Sequence, residues 1–264
     1  MNRIVETTAS RVAARNIGLS YAGRGVLDGI DLDVRPAELV SVLGPSGSGK
    51  STLLRILAGL LRPTEGSVTI DGAALDGPRP DVALAFQDPC LLPWLSVEKN
   101  VGFGLGFTRQ PRLSRGERHE RVSAALNEVA LAHARHSAPR QLSGGMAQRA
   151  ALARCLARQP RTLLLDEPFG ALDEVTRADM QRLLVKLVRD TNAATVLVTH
   201  DIDEALLVSD RIVLLGNRGT LILQLAVNLP TPRDAYVQAL GALRIQVLQA
   251  LQDSMSNAPL PAHV

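Results

Sequence analysis

Short runs of consecutive apolar residues alternate along the chain with stretches whose apolar positions recur at helical spacing. Three runs are almost unbroken: Leu39 to Leu43, Thr162 to Leu165 and Ala194 to Thr199. A strand with one wet face alternates, whereas a strand covered on both faces does not, so these runs predict buried strands of a mostly parallel sheet in an α/β fold. Ile212 to Leu215 and Leu221 to Val227 are further strand candidates. The first part of the chain, up to about Pro36, and the segment Gly66 to Ala85 read as short strands joined by turns, with Asp71-Gly72 and Asp76-Gly77 as turn signals. From about Pro89 to Gln159 the β pattern gives way to helices, at Glu117 to Leu131 and Met146 to Arg158, with Pro111 and Pro139 as breakers. A helical insert is therefore expected between the first core strand and the strand that ends at Asp166. From Asp234 to Met255, the apolar residues Val237, Leu240, Val247, Leu248 and Leu251 predict an amphipathic helix interrupted at Gly241, bound either for the core or for a partner.

Composition narrows the class. The 264 residues are 46% apolar and 21% charged, which is ordinary for a folded chain of one large or two small domains and excludes a disordered, collagen-like or disulfide-scaffold protein. A formal net charge of +3 is too small to argue for a nucleic-acid partner. The two cysteines, Cys90 and Cys155, lie far apart without metal-ligand spacing, and nothing in them asks for an oxidising compartment. The opening MNRIVETTASRVAARN lacks an apolar core and reads as a frayed terminus rather than a secretory signal. No run approaches the ~18 apolar residues of a membrane span, so any membrane role must come through a partner.

Residues 44–51 read Gly44-Pro45-Ser46-Gly47-Ser48-Gly49-Lys50-Ser51, the pattern G-x-x-x-x-G-K-[ST] of a phosphate loop. A chance match in such a chain has odds of about one per cent from average composition. A buried-looking strand precedes it and the helix-like run Thr52 to Leu61 follows. Glycines let the backbone turn several N–H groups toward one anion, and the helix end adds a positive partial charge. Lys50 supplies a full charge to the outer phosphates, and Ser51 offers a hydroxyl to Mg²⁺. The second half of the site is Leu163-Leu164-Leu165-Asp166-Glu167-Pro168, an apolar strand that stops at two carboxylates. Ligands of parallel α/β sheets sit beyond the carboxyl ends of the strands. Asp166 is thus expected near the phosphate loop, holding Mg²⁺ through water. Glu167 points elsewhere and is the candidate to orient or deprotonate an attacking water. A third feature, Leu142-Ser143-Gly144-Gly145-Met146, precedes a helix with Ser143 as its N-cap and forms another anion-binding helix end. The glycine-rich Gly102-x-Gly104-x-Gly106 lacks a strand–turn–helix context and reads as a flexible connection rather than a dinucleotide site.

In this order of motifs the chain resembles the ATP-binding subunits of ABC transporters over about residues 11–235, with residues 236–264 as a helical tail. The resemblance implies a P-loop NTPase (RecA-like) core, a small antiparallel β subdomain and an α-helical subdomain inserted at about 89–160. Leu142 to Gly145 looks like the family's signature, with Met146 where glutamine is frequent. Gln87 matches the Q-loop glutamine that approaches the metal, Gly170-Ala171-Leu172-Asp173 the D-loop, His200 the switch histidine that senses the γ-phosphate, and Tyr21 the aromatic that stacks on adenine. His119, His133, His136 and His263 receive no role. By the same resemblance Gly44 through Thr52 hold ATP, Ser51, Gln87 and Asp166 serve Mg²⁺, and Glu167 is the base. Two cassettes pair head to tail, so that Ser143, Gly144 and Gly145 of one chain close over the ATP of the other. The segment Cys90 to Val101, with the pattern LLPW-x-x-V-x-x-N-V, is similar to importer subunits for nitrate, sulfonates and taurine, as is Leu229-Pro230-Thr231-Pro232-Arg233. In that family Trp94 lies where the membrane subunit docks, although packing within its own lobe is the alternative. The implied partners are integral membrane permease subunits and, indirectly, an extracytoplasmic solute-binding protein, with no nucleic acid. The implied location is the cytoplasmic face of the cell membrane, as a peripheral subunit. A soluble ABC-type ATPase acting on nucleic acid or ribosomes, and a subunit of an exporter, stand as the alternatives.

Overall fold

The computed structural model describes residues 10–21 and 23–256, so the first nine residues and His263 lie outside the described residues, while Val12 to Asn16 of the expected frayed terminus instead run in the first strand. In chain order the elements are β1 (Val12–Tyr21), β2 (Arg24–Val34), β3 (Leu39–Leu43), α1 (Lys50–Leu57), β4 (Glu65–Ile70), β5 (Ala73–Ala74), β6 (Val82–Ala85), α2 (Val97–Val101), α3 (Arg115–Glu128), α4 (Gly144–Leu156), β7 (Thr162–Asp166), α5 (Glu174–Thr191), β8 (Ala194–Val198), α6 (Ile202–Val208), β9 (Arg211–Leu215), β10 (Leu221–Ala226) and α7 (Val237–Ser256).

Two sheets form. One is antiparallel and four-stranded in the order β2-β1-β4-β5, and the other has six strands in the order β10-β9-β3-β8-β7-β6. In the larger sheet β9, β3, β8, β7 and β6 run parallel, and β10 closes the edge antiparallel to β9. The three unbroken apolar runs are its central strands, and every residue of β3, β7 and β8 is buried. The register is tight: Val42 lies opposite Val198, and Val198 opposite Asp166, so β3, β8 and β7 end at one level. One apolar cluster, with Val40, Val42, Leu53, Leu57 and Val196, lies between this sheet, α1 and the antiparallel sheet. A second covers the other face and runs without interruption from Leu163 and Leu197 into Val97, Val122 and Leu126 of the helical region.

Several expectations are corrected. The first two strands are long rather than short, at 10 and 11 residues, and are bent by register shifts. Val82–Ala85 does not join the turn-linked β segment: it pairs parallel to β7, as the edge of the core sheet that leads into Gln87. The helix at the chain's end is not interrupted at Gly241 but runs on to Ser256. Glycine costs a helix ~1 kcal/mol but keeps its N–H, and packing of Leu240, Leu243, Val247 and Leu251 against Ala205, Leu206 and Leu214 outweighs that. The core is therefore the destination of this helix, although Val237 stays 73% exposed. Helices α2, α5 and α6 are absent from the pattern reading. The last two are amphipathic or short enough that their caps, Asp173 and Asp201, are the clearer signals.

The segment ending at Arg233 has a structural role. Its guanidinium is 3% exposed and donates to five carbonyls: Leu206 (2.9 Å), Leu207 (3.4 Å), Ser209 (2.6 Å), Val227 (3.2 Å) and, through Nε, Leu229 (3.1 Å). A cation thereby closes the carboxyl end of α6 and pins the chain that leads into α7. Burial lowers its pKa, with Asp210 opposing. Replacing Arg233 with Ala leaves these carbonyls unpaired and is expected to cost about 3 kcal/mol, or roughly 6–12 °C in Tm. Lysine, with its donors at one point, does not restore it. Thermal unfolding of both variants checks this.

Candidate active site

The phosphate loop is built from the end of β3. Gly49, with φ +89°, is the N-cap of α1, and a Cβ there would lie 2.9 Å from the Val26 carbonyl, so close approach and backbone conformation both demand glycine. Lys50 is buried and its Nζ donates to the carbonyls of Gly44 and Pro45, 2.8 Å each. Burial lowers its pKa, while Glu167 and Asp166 act in the opposite sense. The Ser48 hydroxyl is also buried and has no hydrogen-bond partner among the described residues. A buried donor without a partner, inside a loop of converging backbone N–H groups, fits an anion that accepts from it.

Across β8 from this loop, β7 delivers its two carboxylates. Asp166 is 7% exposed, and its Oδ1 accepts from the Ser51 hydroxyl at 3.2 Å. Burial raises its pKa, partly offset by that bond. A hydroxyl and a carboxylate side by side are hard oxygen donors of the kind that suits a divalent cation completed by phosphate and water. Glu167 takes the left-handed conformation, φ +46°, rare for a residue with a side chain. This turns its carboxylate away from Asp166 toward two neighbours: Gln87 Nε2 donates to Oε2 at 3.1 Å, and His200 Nδ1 lies 3.1 Å from Oε1. A carboxylate, an amide and an imidazole thus converge beside the phosphate loop, a set able to orient a water and accept its proton.

Of the residues singled out from sequence, Gly44 through Thr52, Gln87, Asp166, Glu167 and His200 lie together at the carboxyl edge of the sheet. Tyr21 is 53% exposed at the tip of the β1–β2 hairpin, paired with Arg24 and two residues along β2 from the Val26 that packs on Gly49. The signature does not join them. Ser143 caps α4, accepting from the Met146 N–H at 3.2 Å, and Gly144 and Gly145 pack on Ala171 and Leu172. Met146, in place of glutamine, packs against the apolar core. No hydrogen bond among the described residues joins 142–145 to 44–51. Asp173 is exposed and caps α5 through the Thr176 N–H at 3.0 Å, which lowers its pKa.

Two residues that the motifs do not mark belong to this edge. Gln148, one turn into α4, reaches the loop after Glu167. Glu204 is 6% exposed on α6, one turn past His200, and its Oε1 has no hydrogen-bond partner. Burial pushes its carboxyl up to about 7, opposed by hydrogen bonding to Thr199 and Gln181 and by Arg177, with Asp201 adding to the rise. Asp201-Ile202-Asp203-Glu204 reads as an ordinary acidic first turn of a helix, so the sequence carries no signal that sets Glu204 apart.

The model of the ABC transporter family matches residues 27–170. The chain belongs to that family. The cassette binds ATP and is an ATPase. It is 48% identical over 240 residues to the aliphatic sulfonates import ATP-binding protein SsuB 1 of Pseudomonas fluorescens, covering 91% of this chain and 86% of that protein. Against the protein of the same name from Xanthomonas axonopodis pv. citri it is 47% identical, covering 89% and 93%. Among solved structures it is similar to the dimeric post-hydrolysis state of the cassette MJ0796 bound to ADP and Pi, with TM-score 0.76, 34% identity, and coverage of 83% of this chain and 100% of that one. It is also similar to cbiO1 of Clostridium perfringens, part of the transporter complex cbiONQ, with TM-score 0.74, 28% identity and coverage of 92% and 99%.

Glu204 gives the cassette a stability that depends on pH. Its folded pKa is raised above the ordinary 4.5 to about 7, so the contribution is complete below pH ~4.5 and is lost as pH rises through ~7. Glu204→Gln, neutral throughout, is expected to be more stable than the unchanged chain at pH 8 by roughly 1–3 kcal/mol and to lose that advantage at pH 4.5. Denaturant titrations at the two values measure it, and equal differences at both would refute it.

Proposed function

We propose that this chain is the ATP-hydrolysing subunit of an importer for aliphatic sulfonates or a similarly small solute, such as nitrate or taurine. The convergence of Gln87 and His200 on the Glu167 carboxylate, next to the phosphate loop, carries the catalytic reading. The sulfonate import proteins named above carry the choice of solute. In this reading Lys50, the Ser48 hydroxyl and the loop N–H groups hold the phosphates of ATP, and Tyr21 takes the adenine. Ser51 and Asp166, with Gln87 nearby, hold Mg²⁺, which when bound screens charge on the outer phosphates. Glu167 accepts the proton of the attacking water, while Gln87 fixes one of its oxygens. His200, 70% exposed at the side chain, faces the γ-phosphate and holds the other oxygen. Two cassettes pair head to tail, which gives the exposed Ser143 and Asp173 their partners, and the dimeric cassettes among the similar structures support this.

The membrane partner is read from a cleft of about 640 Å³ lined by Phe86, Leu92, Phe103, Phe107 and the arginines Arg154 and Arg158. Trp94 beside it is 75% exposed, so packing within its own lobe is not its role. Asn100, fully buried, holds the loop that displays it: the amide accepts from the Leu92 N–H (2.8 Å) and donates to the carbonyls of Leu92, Leu95 and Ser96 (3.1 Å each). This is the physical content of the LLPW-x-x-V-x-x-N-V pattern. An aromatic, arginine-edged cleft suits a helix of an integral membrane permease. The cassette then sits peripherally on the cytoplasmic face, and an extracytoplasmic binding protein delivers the solute to the permease. Among the described residues no helix is long and apolar enough to cross a membrane.

Two outcomes are expected. Glu167→Gln retains ATP binding, measured by equilibrium titration, and loses turnover by about 10²–10⁴-fold. Turnover like that of the unchanged chain would remove Glu167 from the mechanism. The tagged cassette, drawn from its native membranes in mild detergent, brings down a polytopic protein that Trp94→Ala loses. Recovery of ribosomes or nucleic acid instead would replace the importer reading.

A further inference from the structure

The signature helix is fastened to the catalytic loop of its own chain by one side chain. Gln148 Oε1 accepts from the Ala171 N–H at 3.0 Å, and Gln148 Nε2 donates to the Glu167 carbonyl at 3.4 Å. Both partners are backbone groups, so the amide fixes the path of the main chain from residue 167 to residue 171 rather than a side chain free to rotate. The helix end is seated there without slack: a Cβ on Gly145 would lie 3.0 Å from Leu172 Cδ2 and 3.3 Å from the Ala171 carbonyl. Glu167 also needs holding. It is left-handed, with φ +46°, and precedes Pro168, a position that favours extended backbone. Such a conformation persists only where its surroundings over-determine it. The Glu167 N–H donates to the Val198 carbonyl at 2.9 Å, and its own carbonyl accepts from the Gly170 N–H at 3.3 Å and, from outside the loop, from Gln148.

We propose that Gln148 is a positioning residue that makes the signature helix and the Glu167 loop of one chain move as a single body, and so couples the two ATP sites of a cassette pair. The proposal rests on the head-to-tail pairing of the preceding section. In that pairing Ser143 and Gly145 close over the partner's nucleotide, while Glu167 serves the chain's own. A displacement of α4 when the partner's ATP is engaged pulls, through Gln148, on the carbonyl of Glu167 and on the D-loop. Engagement of one nucleotide thereby sets the carboxylate at the other. Gln148 touches no substrate in this arrangement and acts only through the backbone.

The test is steady-state hydrolysis of Mg²⁺-ATP by the full-length chain across half-saturation, with Gln148→Met beside the unchanged protein. Methionine matches the length and makes neither bond. Turnover at saturation is expected to fall at least about tenfold, half-saturation to move by less than about twofold, and the Hill coefficient to drop from above 1 to about 1. If Gln148→Met does not fold, Gln148→Glu decides, because it keeps the acceptor for Ala171 and replaces the donor to Glu167 with an oxygen that its carbonyl repels. It is expected to lose the sigmoidal response in the same way. A folded variant with unchanged turnover and Hill coefficient overturns the proposal. So does one whose turnover falls while the sigmoidal response persists, since Gln148 then holds its own site alone. An unchanged chain that stays monomeric with ATP and responds hyperbolically overturns the pairing itself, a failure visible before any variant is made.

Discussion

Three parallel strands ending at one level of the sheet are what the site depends on. β3 leads into the phosphate loop, β7 into Asp166 and Glu167, and β8 between them into His200, with Val42, Val198 and Asp166 in register. A slip of β7 by one residue would turn Asp166 to the opposite face of the sheet. What prevents it is burial: all fifteen positions of these strands are buried, so any other register exposes apolar side chains or buries charge. Catalytic geometry is thus a consequence of core packing, and the polar residues inherit positions that they do not themselves enforce.

That inheritance has an electrostatic cost. Burial pushes Lys50 down and Asp166 up, each away from its charged form, and each is partly restored by its neighbours. Lys50 answers with two loop carbonyls and Asp166 with the Ser51 hydroxyl. These are interim partners. A phosphate beside Lys50 and Ser48 supplies the negative charge and the acceptors that the loop lacks, so nucleotide stabilises the Lys50 charge that burial penalises. The loop is consequently a better host for phosphate than for water.

The strands and motifs that make the site were legible because their signals are local. Leu39 to Leu43, Thr162 to Leu165 and Ala194 to Thr199 are apolar on both faces, and the glycines of 44–49 are where the backbone needs them. What the sequence hides is pairing between distant segments. Val82–Ala85 is apolar and short, and nothing in those four residues says that its neighbour is β7 rather than the turn-linked strands before it. Gly241 looked like a break because propensity was weighed without the cluster around Val247 that overrides it. Arg233, Asn100 and Gln148 are single polar residues whose work is to hold carbonyls and amides of remote backbone, and one residue has no period to read. The Leu229 to Arg233 and LLPW patterns did flag the first two segments, but as resemblance, without the hydrogen bonds that explain them.

The same limit bears on how the cassette can pass force. Val97 and Val101, beneath the loop that carries Trp94, belong to one apolar cluster with Ala150 and Leu152 of the signature helix, Leu163 and Leu165 of β7, and Phe169 just past Glu167. Close-packed interiors compress little, so a displacement at one edge of such a cluster is felt at the other. The helical region and the strand that carries Asp166 thus share one apolar interior, and the exposed Trp94 and Ser143 stand at its rim. A boundary drawn from composition at about residues 89 and 160 marks where helices replace strands, and the packing is continuous across both.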